Sequence, residues 1–310
     1  MIKLSRYIQD PLRILYGVVR RIAPWIKNDE RYLKILFFLR HHKRLNLKHP
    51  ETFSEKLQWL KLYDRKPEYT TMVDKYAVKE YVANIIGEEY IIPTIGVWDK
   101  PEDIDWDSLP DKFVLKTTHG GGSVGVVICK DKNSFNKEKA IRNLSQSLKQ
   151  NIYTQLREWP YKDVKKRIIA EPFLEDFSNN SQDLPDFKFF CFNGDPKYCQ
   201  VIKDRNTKET IDFFDLNWQH QEFIGLNPVK GDQYHNAKVT PSIPKHFQEM
   251  QVIASKLSKN IPFSRIDLYE INGKVYFGEI TLFPASGMGV FKPEEWNLRL
   301  GKLLKLEVVY

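Results

Sequence analysis

The sequence predicts an α+β fold built from antiparallel hairpins and intervening helices, not from a regular βαβ alternation. Three observations carry that reading. Asn193-Gly194 and Asn272-Gly273 each lie between two apolar, β-rich runs, which is the strongest short-range hairpin signal. The third is Phe113 to Gly125, FVLKTTHGGGSVG. There a strand-like run ends near Lys116, and the glycines Gly120 to Gly122 lead at once into a second strand-like run, VGVVIC.

The elements follow in order. Residues 3–45 read as two amphipathic helices, with Leu12, Leu15, Val18, Val19 and Ile22 at helical spacing in the first. Pro24 interrupts, and Tyr32, Leu33, Ile35, Leu36 and Leu39 continue into the basic cluster Arg40 to Arg44. Thr52 or Ser54 caps a helix through Leu62, and Asp64-Arg65-Lys66-Pro67 breaks it. A helix over Tyr69–Ile86 ends at Gly87, a strand covers Ile91–Val97, and an acidic loop runs from Asp99 to Asp111. After the glycine hairpin come a helix over 137–150 and strands at 167–170, 187–192, 198–203 and 211–216. A helix over 245–258 precedes the last hairpin, 263–270 with 274–280. Four regions result: 1–66 basic and helical, 67–110 connecting, 111–175 with the glycine loop, and 176–310 with the last hairpin.

With 310 residues, 42% of them hydrophobic, the chain can build several cores and is not disordered. Three cysteines, Cys129, Cys191 and Cys199, give no disulfide framework; Cys129 and Cys191, inside apolar strand-like runs, read as buried thiols, and a reducing cytoplasm fits. No apolar h-region for secretion opens the chain, and no run of about 18 apolar residues could span a bilayer. Residues 1–66 hold 16 basic residues against 6 acidic, so the basic excess of the chain lies in its first fifth. A basic amphipathic element of this kind suits peripheral contact with the anionic inner face of the cell membrane. A helical cap with a solvated basic face is the plainer alternative. Nucleic acid is not expected, because no stacking-rich module accompanies the charge.

Two segments carry chemistry. Glycines let backbone N–H groups approach an anion closely, and Lys116 adds a point charge, so the 113–125 hairpin reads as a phosphate clamp in the form of a flap, the alternative being a purely structural glycine hairpin. It is no Walker A loop, since no Gly-Lys-Ser/Thr closes it. The last hairpin places Asp267 and Glu279 on neighbouring strands among Ile266, Leu268, Phe277 and Ile280. Two carboxylates there require counter-charge: Mg²⁺ bridging nucleotide phosphates, or pairing with Arg265 or a lysine.

Taken in order over roughly residues 74–289, these motifs resemble the ATP-grasp ligases, whose fold clamps ATP between two α+β subdomains. The resemblance implies ATP and Mg²⁺ as cofactors, here with a basic helical N-terminal extension. Asp74-Lys75 resembles the pair opening the nucleotide region, which implies that Lys75 touches phosphate. Lys116 matches the second nucleotide lysine, and Thr117 to Gly125, with Gly120, Gly121, Gly122 and Ser123, the phosphate-covering loop. Ile169-Ala-Glu-Pro-Phe-Leu-Glu resembles the adenine hinge, with Glu171 and the backbone through Leu174 holding the base and Asp186 the ribose. Lys188 stands where relatives place another phosphate-contacting cation, and Arg265 where an arginine stabilises a developing oxyanion. Asp267 and Glu279 match the metal ligands, but Thr281 replaces the asparagine common two residues after the second acid, which puts a second metal in doubt. Pro284-Ala-Ser-Gly-Met-Gly resembles the substrate loop.

Finer motifs, Phe187-Lys-Phe-Phe-Cys-Phe-Asn-Gly-Asp, Ile211-Asp-Phe-Phe-Asp-Leu-Asn-Trp and Glu279-Ile-Thr-Leu-Phe-Pro, are similar to the TupA-like group found among bacterial surface polysaccharide genes. That implies an ATP-dependent carboxylate–amine ligase acting through an acyl-phosphate. Its partners would be a glycan or uronic acid and an amine donor, either an amino acid or an amino sugar. The alternative is a glycosyltransferase of the same pathway, since many members of the group carry that label; it leaves Lys75, Lys116 and the hinge unexplained. Arg205, just after a strand, is a candidate for the γ-phosphate or for a surface salt bridge. His119 borders the flap, while Asp215 and Trp218 could line an acceptor sugar or simply pack.

Overall fold

Side-chain caps fix where several of the helices begin. A computed structural model describes residues 11–122, 124–177, 184–203, 209–227 and 234–307; Ser123 and Arg205 lie outside them. Asn28 accepts from the backbone N of Arg31 and opens the helix Asp29–His41, which follows the helix Pro11–Arg21. Thr52 and Glu55 form a reciprocal capping box at the head of Phe53–Tyr63. The single helix expected over Tyr69–Ile86 is instead two, Glu68–Val73 and Ala77–Ile86. Asp74 between them is extended, and its carboxylate accepts from the backbone N of Tyr76 at 2.9 Å and Ala77 at 3.3 Å. An aspartate capping its own next turn ends one helix and starts another, which apolar periodicity does not register.

All strand pairs of the two larger sheets are antiparallel. Four strands, β1 (Gly96–Trp98), β2 (Phe113–Thr117), β3 (Val126–Cys129) and β4 (Ile168–Pro172), order as β1-β4-β2-β3, covered by the helix Lys137–Leu148. The strand expected over 91–97 shrinks to β1, three residues long. β5 (Asp186–Phe192), β6 (Asp195–Lys203), β7 (Thr210–Asp215) and β8 (His220–Gln221) join β10 (Phe263–Ile271) and β11 (Lys274–Thr281). Their order is β11-β10-β5-β6-β7-β8. β9 (Ile224–Asn227) pairs with β12 (Val290–Lys292), and a helix follows at Glu295–Leu303. Both asparagine–glycine hairpins form with left-handed Asn and Gly, φ 51° and 83° in the first and 51° and 74° in the second.

The largest core is aromatic and lies on both faces of the six-stranded sheet. One face stacks Phe189 on Phe247 of the helix Phe247–Ser258, at 5.6 Å between rings. On the other, Phe192 and Phe263 meet Phe53, whose helix thereby joins this core, and Phe190 packs on Phe263. A separate small core unites the first two helices through Tyr16, Val19, Tyr32, Leu33 and Phe37, and includes Met288. The three cysteines are buried and free.

Candidate active site

The second face of the large sheet is aromatic at one end and charged at the other. Because side chains alternate across a strand, Asp186 and Lys188 share the face of Phe190, and Arg265 and Asp267 that of Phe263. Register then brings Asp267 opposite Lys188 on β5 and opposite Glu279 on β11. Just past that pair the β10–β11 register shifts, leaving Gly278 as the extra residue; a Cβ there would lie 2.8 Å from the Tyr269 ring.

The resulting cluster is dense in charge. Arg265 donates to both Asp267 oxygens at 2.7 Å, and through Nη2 to Glu279 Oε1 at 3.1 Å and Thr281 Oγ1 at 3.0 Å. Lys188 pairs with Asp267 and stands 3.8 Å from Asp186, whose carboxylate also meets Tyr269. Burial pushes the Asp267 carboxyl up, with Arg265 and Lys188 pulling against it. For Glu279, burial acts upward too, but Lys75, Arg265 and Lys188 outweigh it and hold the group well below the usual carboxylate range.

Lys75 joins the two sheets. Its backbone N donates to Thr118 O at 3.0 Å, beside the flap, while Nζ reaches Glu279 Oε2 at 3.1 Å. Across β2 and β4, Lys116 pairs with Glu171 at 2.5 Å, and Lys79 takes the other oxygen at 2.6 Å. Burial would raise Glu171, yet the two ammonium groups bring it below its ordinary value. Leu174 is half-buried just beyond β4. The flap turns at Gly122, φ 61°, where a Cβ would meet nothing within 4 Å, so its backbone is open to a ligand. It closes at Gly125, φ 73°, where a Cβ would sit 2.2 Å from both Thr117 Oγ1 and Ser147 Oγ. His119 is buried with Nε2 on Ser147 O at 3.1 Å, and burial lowers its pKa, so it belongs to the foot of the flap.

The loop Pro284–Gly287 flanks the cluster in left-handed backbone, with φ 47°, 56° and 62° at Ala285, Ser286 and Gly287. Non-glycine residues hold that region only under outside constraint. Lys61 supplies it, donating to Ser286 O at 2.8 Å and Oγ at 2.7 Å, and Gln58 donates to the carbonyls of Ser286 and Gly287 at 3.1 Å. Burial pulls the Lys61 pKa down to about 8 while Glu158 opposes that shift.

The structure thus gathers Lys75, Lys188, Arg265, Asp186, Asp267, Glu279 and Thr281 at one sheet end, and Lys116 with Glu171 beside the flap. Sequence reading missed Lys79, four residues after Lys75 in this helical stretch, and Arg167, which pairs with Asp74 at 2.7 Å. It also missed Lys61 and Glu158, which no local pattern marks. Among the described residues, Asp215 caps the turn 215–219, and Trp218 stacks on Phe214 at 4.2 Å.

The residues fit the groups implied. Two carboxylates and a hydroxyl are hard oxygen donors suited to Mg²⁺, which takes few protein ligands when phosphates supply the rest. No group of three or more His, Cys, Asp or Glu arranged to hold a metal ion by themselves occurs among the described residues. An exposed glycine turn and several cations suit a polyphosphate.

The sequence profile of the TupA-like ATPgrasp family matches residues 55–305, and the chain belongs to that family. Among solved structures, it is similar to D-alanine–D-alanine ligase from Helicobacter pylori, at 15% identity over 83% of this chain and 70% of that one, TM-score 0.42. It is similar as well to the Bacillus anthracis D-alanine–D-alanine ligase complexed with ATP, at 15% identity over 74% and 63% of the two chains, TM-score 0.41. The ATP-grasp ligase PsnB, complexed with a phosphomimetic precursor variant, Mg and ADP, is similar at 10% identity over 81% and 65%, TM-score 0.42. None of the curated proteins matches the sequence.

Proposed function

We propose that the chain is an ATP-dependent carboxylate–amine ligase of bacterial surface polysaccharide synthesis. The observation that carries this is the convergence of Lys75, Lys188 and Arg265 on Asp267 and Glu279, with Lys75 also anchored beside the glycine flap. Such a cluster holds cations in place through carboxylates until phosphate oxygens compete for them. Mg²⁺, held by Asp267, Glu279 and the Thr281 hydroxyl, would neutralise phosphate charge.

Lys75, Lys116 and Lys188 would bind the phosphate chain, and the 117–125 flap would exclude water. A substrate carboxylate oxygen attacks the γ-phosphorus, the bond to the β-phosphate oxygen breaks, and ADP leaves. An amine then attacks the acyl carbon, loses a proton and displaces inorganic phosphate, giving an amide. Arg265 would hold the oxyanion of that second step. The left-handed 284–287 loop, held by Lys61 and Gln58, would position the acceptor. A uronic acid and an amino acid or amino sugar are the substrate pair that fits the family's setting.

The test is ADP release from Mg-ATP screened over uronic acids and amines, with hydroxylamine as a trap. Hydroxamate formed only with ATP and one acid supports the ligase. ATP binding without acid-dependent ADP release, across the full screen, would contradict it.

A further inference from the structure

The first two helices bury one side and leave the other bare. Tyr16, Val19 and Ala23 turn inward against Tyr32, Leu33, Leu36 and Phe37. On the outer side of the first helix, Ile14, Leu15 and Val18, and Ile22 just past its end, are between 42% and 50% exposed. Trp25, in the turn Ala23–Trp25, is 76% exposed, and Ile35 and Phe38 stand out from the second helix. A solvated helix carries polar residues at such positions, so this apolar face asks for a partner.

Charge says which partner. Residues 11–44 hold nine basic and two acidic residues. Both acids are engaged, Asp29 by Arg65, Arg157 and Tyr153, and Glu30 by Lys34. Arg21, Lys27, Arg31 and Arg44 are exposed and make no ion pair among the described residues. A second copy of the chain would bring two such basic faces together and repel. We infer that this face binds an anionic lipid surface, lying in the plane of the interface. Ile14, Val18, Ile22 and Trp25 enter the headgroup boundary while Arg21, Lys27 and Arg31 pair with lipid phosphates. No helix among the described residues is long and apolar enough to cross a membrane, so the contact is from one side.

The same helix pair touches the candidate active site on its inner side. Met288 packs into its core, and Arg40 Nε donates to Met288 O at 2.8 Å, next to the loop 284–287. Lipid docking thereby sets that loop and the bilayer on opposite sides of one helix pair. The inference stands independently of the ligase chemistry.

The test is co-sedimentation of the full chain with phosphatidylcholine vesicles and with vesicles containing about a third phosphatidylglycerol. Two variants accompany it, Val18→Ser/Ile22→Ser/Trp25→Ala and Arg21→Gln/Lys27→Gln/Arg31→Gln, each checked for unchanged circular dichroism and Mg-ATP binding. The expected result is binding to anionic vesicles only, weakened at least about ten-fold by high salt and by either variant. Equal binding to neutral vesicles, undiminished binding by both variants, or no vesicle binding by the folded chain would overturn it. So would a dimer in sedimentation velocity that the apolar variant dissolves, since the face would then join two copies.

Discussion

The six-stranded sheet and the first helix pair break ordinary patterning in opposite directions. On the sheet, charge lies where apolar side chains usually do: Asp267 is 1% exposed, Lys188 4% and Asp186 3%. On the helix pair, apolar side chains lie where charge usually does, with Trp25 at 76% exposure. The buried charges find partners within the chain, in a network of Arg265, Lys188 and Lys75 with three acids. The exposed apolar face has no such internal partner among the described residues. A buried ion without its partner is expensive, whereas an exposed isoleucine costs little. Residues of the two kinds should therefore respond to mutation in unequal ways.

Asp267→Ala should produce the largest effect, because it strands Arg265 and Lys188 in the sheet. A loss of about 3–5 kcal/mol in urea unfolding is expected. A loss below about 1 kcal/mol would mean the cluster is solvated and the contrast wrong. Lys61→Met comes next, at about 2–3 kcal/mol, since it removes three hydrogen bonds to Ser286 and Leu156 and leaves Glu158 buried. Calorimetric melting of this variant at neutral pH measures it.

Glu171→Gln should cost about 1–2 kcal/mol at neutral pH, and the cost should depend on pH. Lys116 and Lys79 hold the carboxyl below its ordinary 4.5, so its contribution is present above pH 4.5 and fades as pH falls below that value. Melting curves of both proteins should converge toward acid; a constant gap would refute the assignment. Trp25→Ala should change stability by less than about 0.5 kcal/mol, because an outer-face side chain supports nothing within the fold. A larger loss would mean that the face is packed.

Much of this was legible in the sequence where local chemistry decides. Asn193-Gly194 and Asn272-Gly273 specify left-handed turns by themselves, and their hairpins form as expected. The second of these turns also brings β10 beside β11, but Asp267 meets Glu279 only because the extra residue Gly278 shifts the register by one; the turn alone would set Asp267 against Gly278. The break at Asp74 was hidden, since a cap looks like one more polar residue in a helical run. β8, β9 and β12 span two to four residues, too few to show a period. Lys61 and Glu158 were invisible for another reason: their meeting at the 284–287 loop depends on segments distant in sequence. β5 is buried along its whole length, so its charged members carry no alternating signature.

The most direct measurement is calorimetric titration with Mg-ATP and, separately, with UDP-sugars, on the wild type and on Lys116→Ala/Glu279→Gln. Mg-ATP binding that the double variant reduces at least about a hundred-fold, with no response to UDP-sugars, is the predicted result. Binding of a UDP-sugar with no response to ATP would contradict the ligase reading and favour glycosyl transfer.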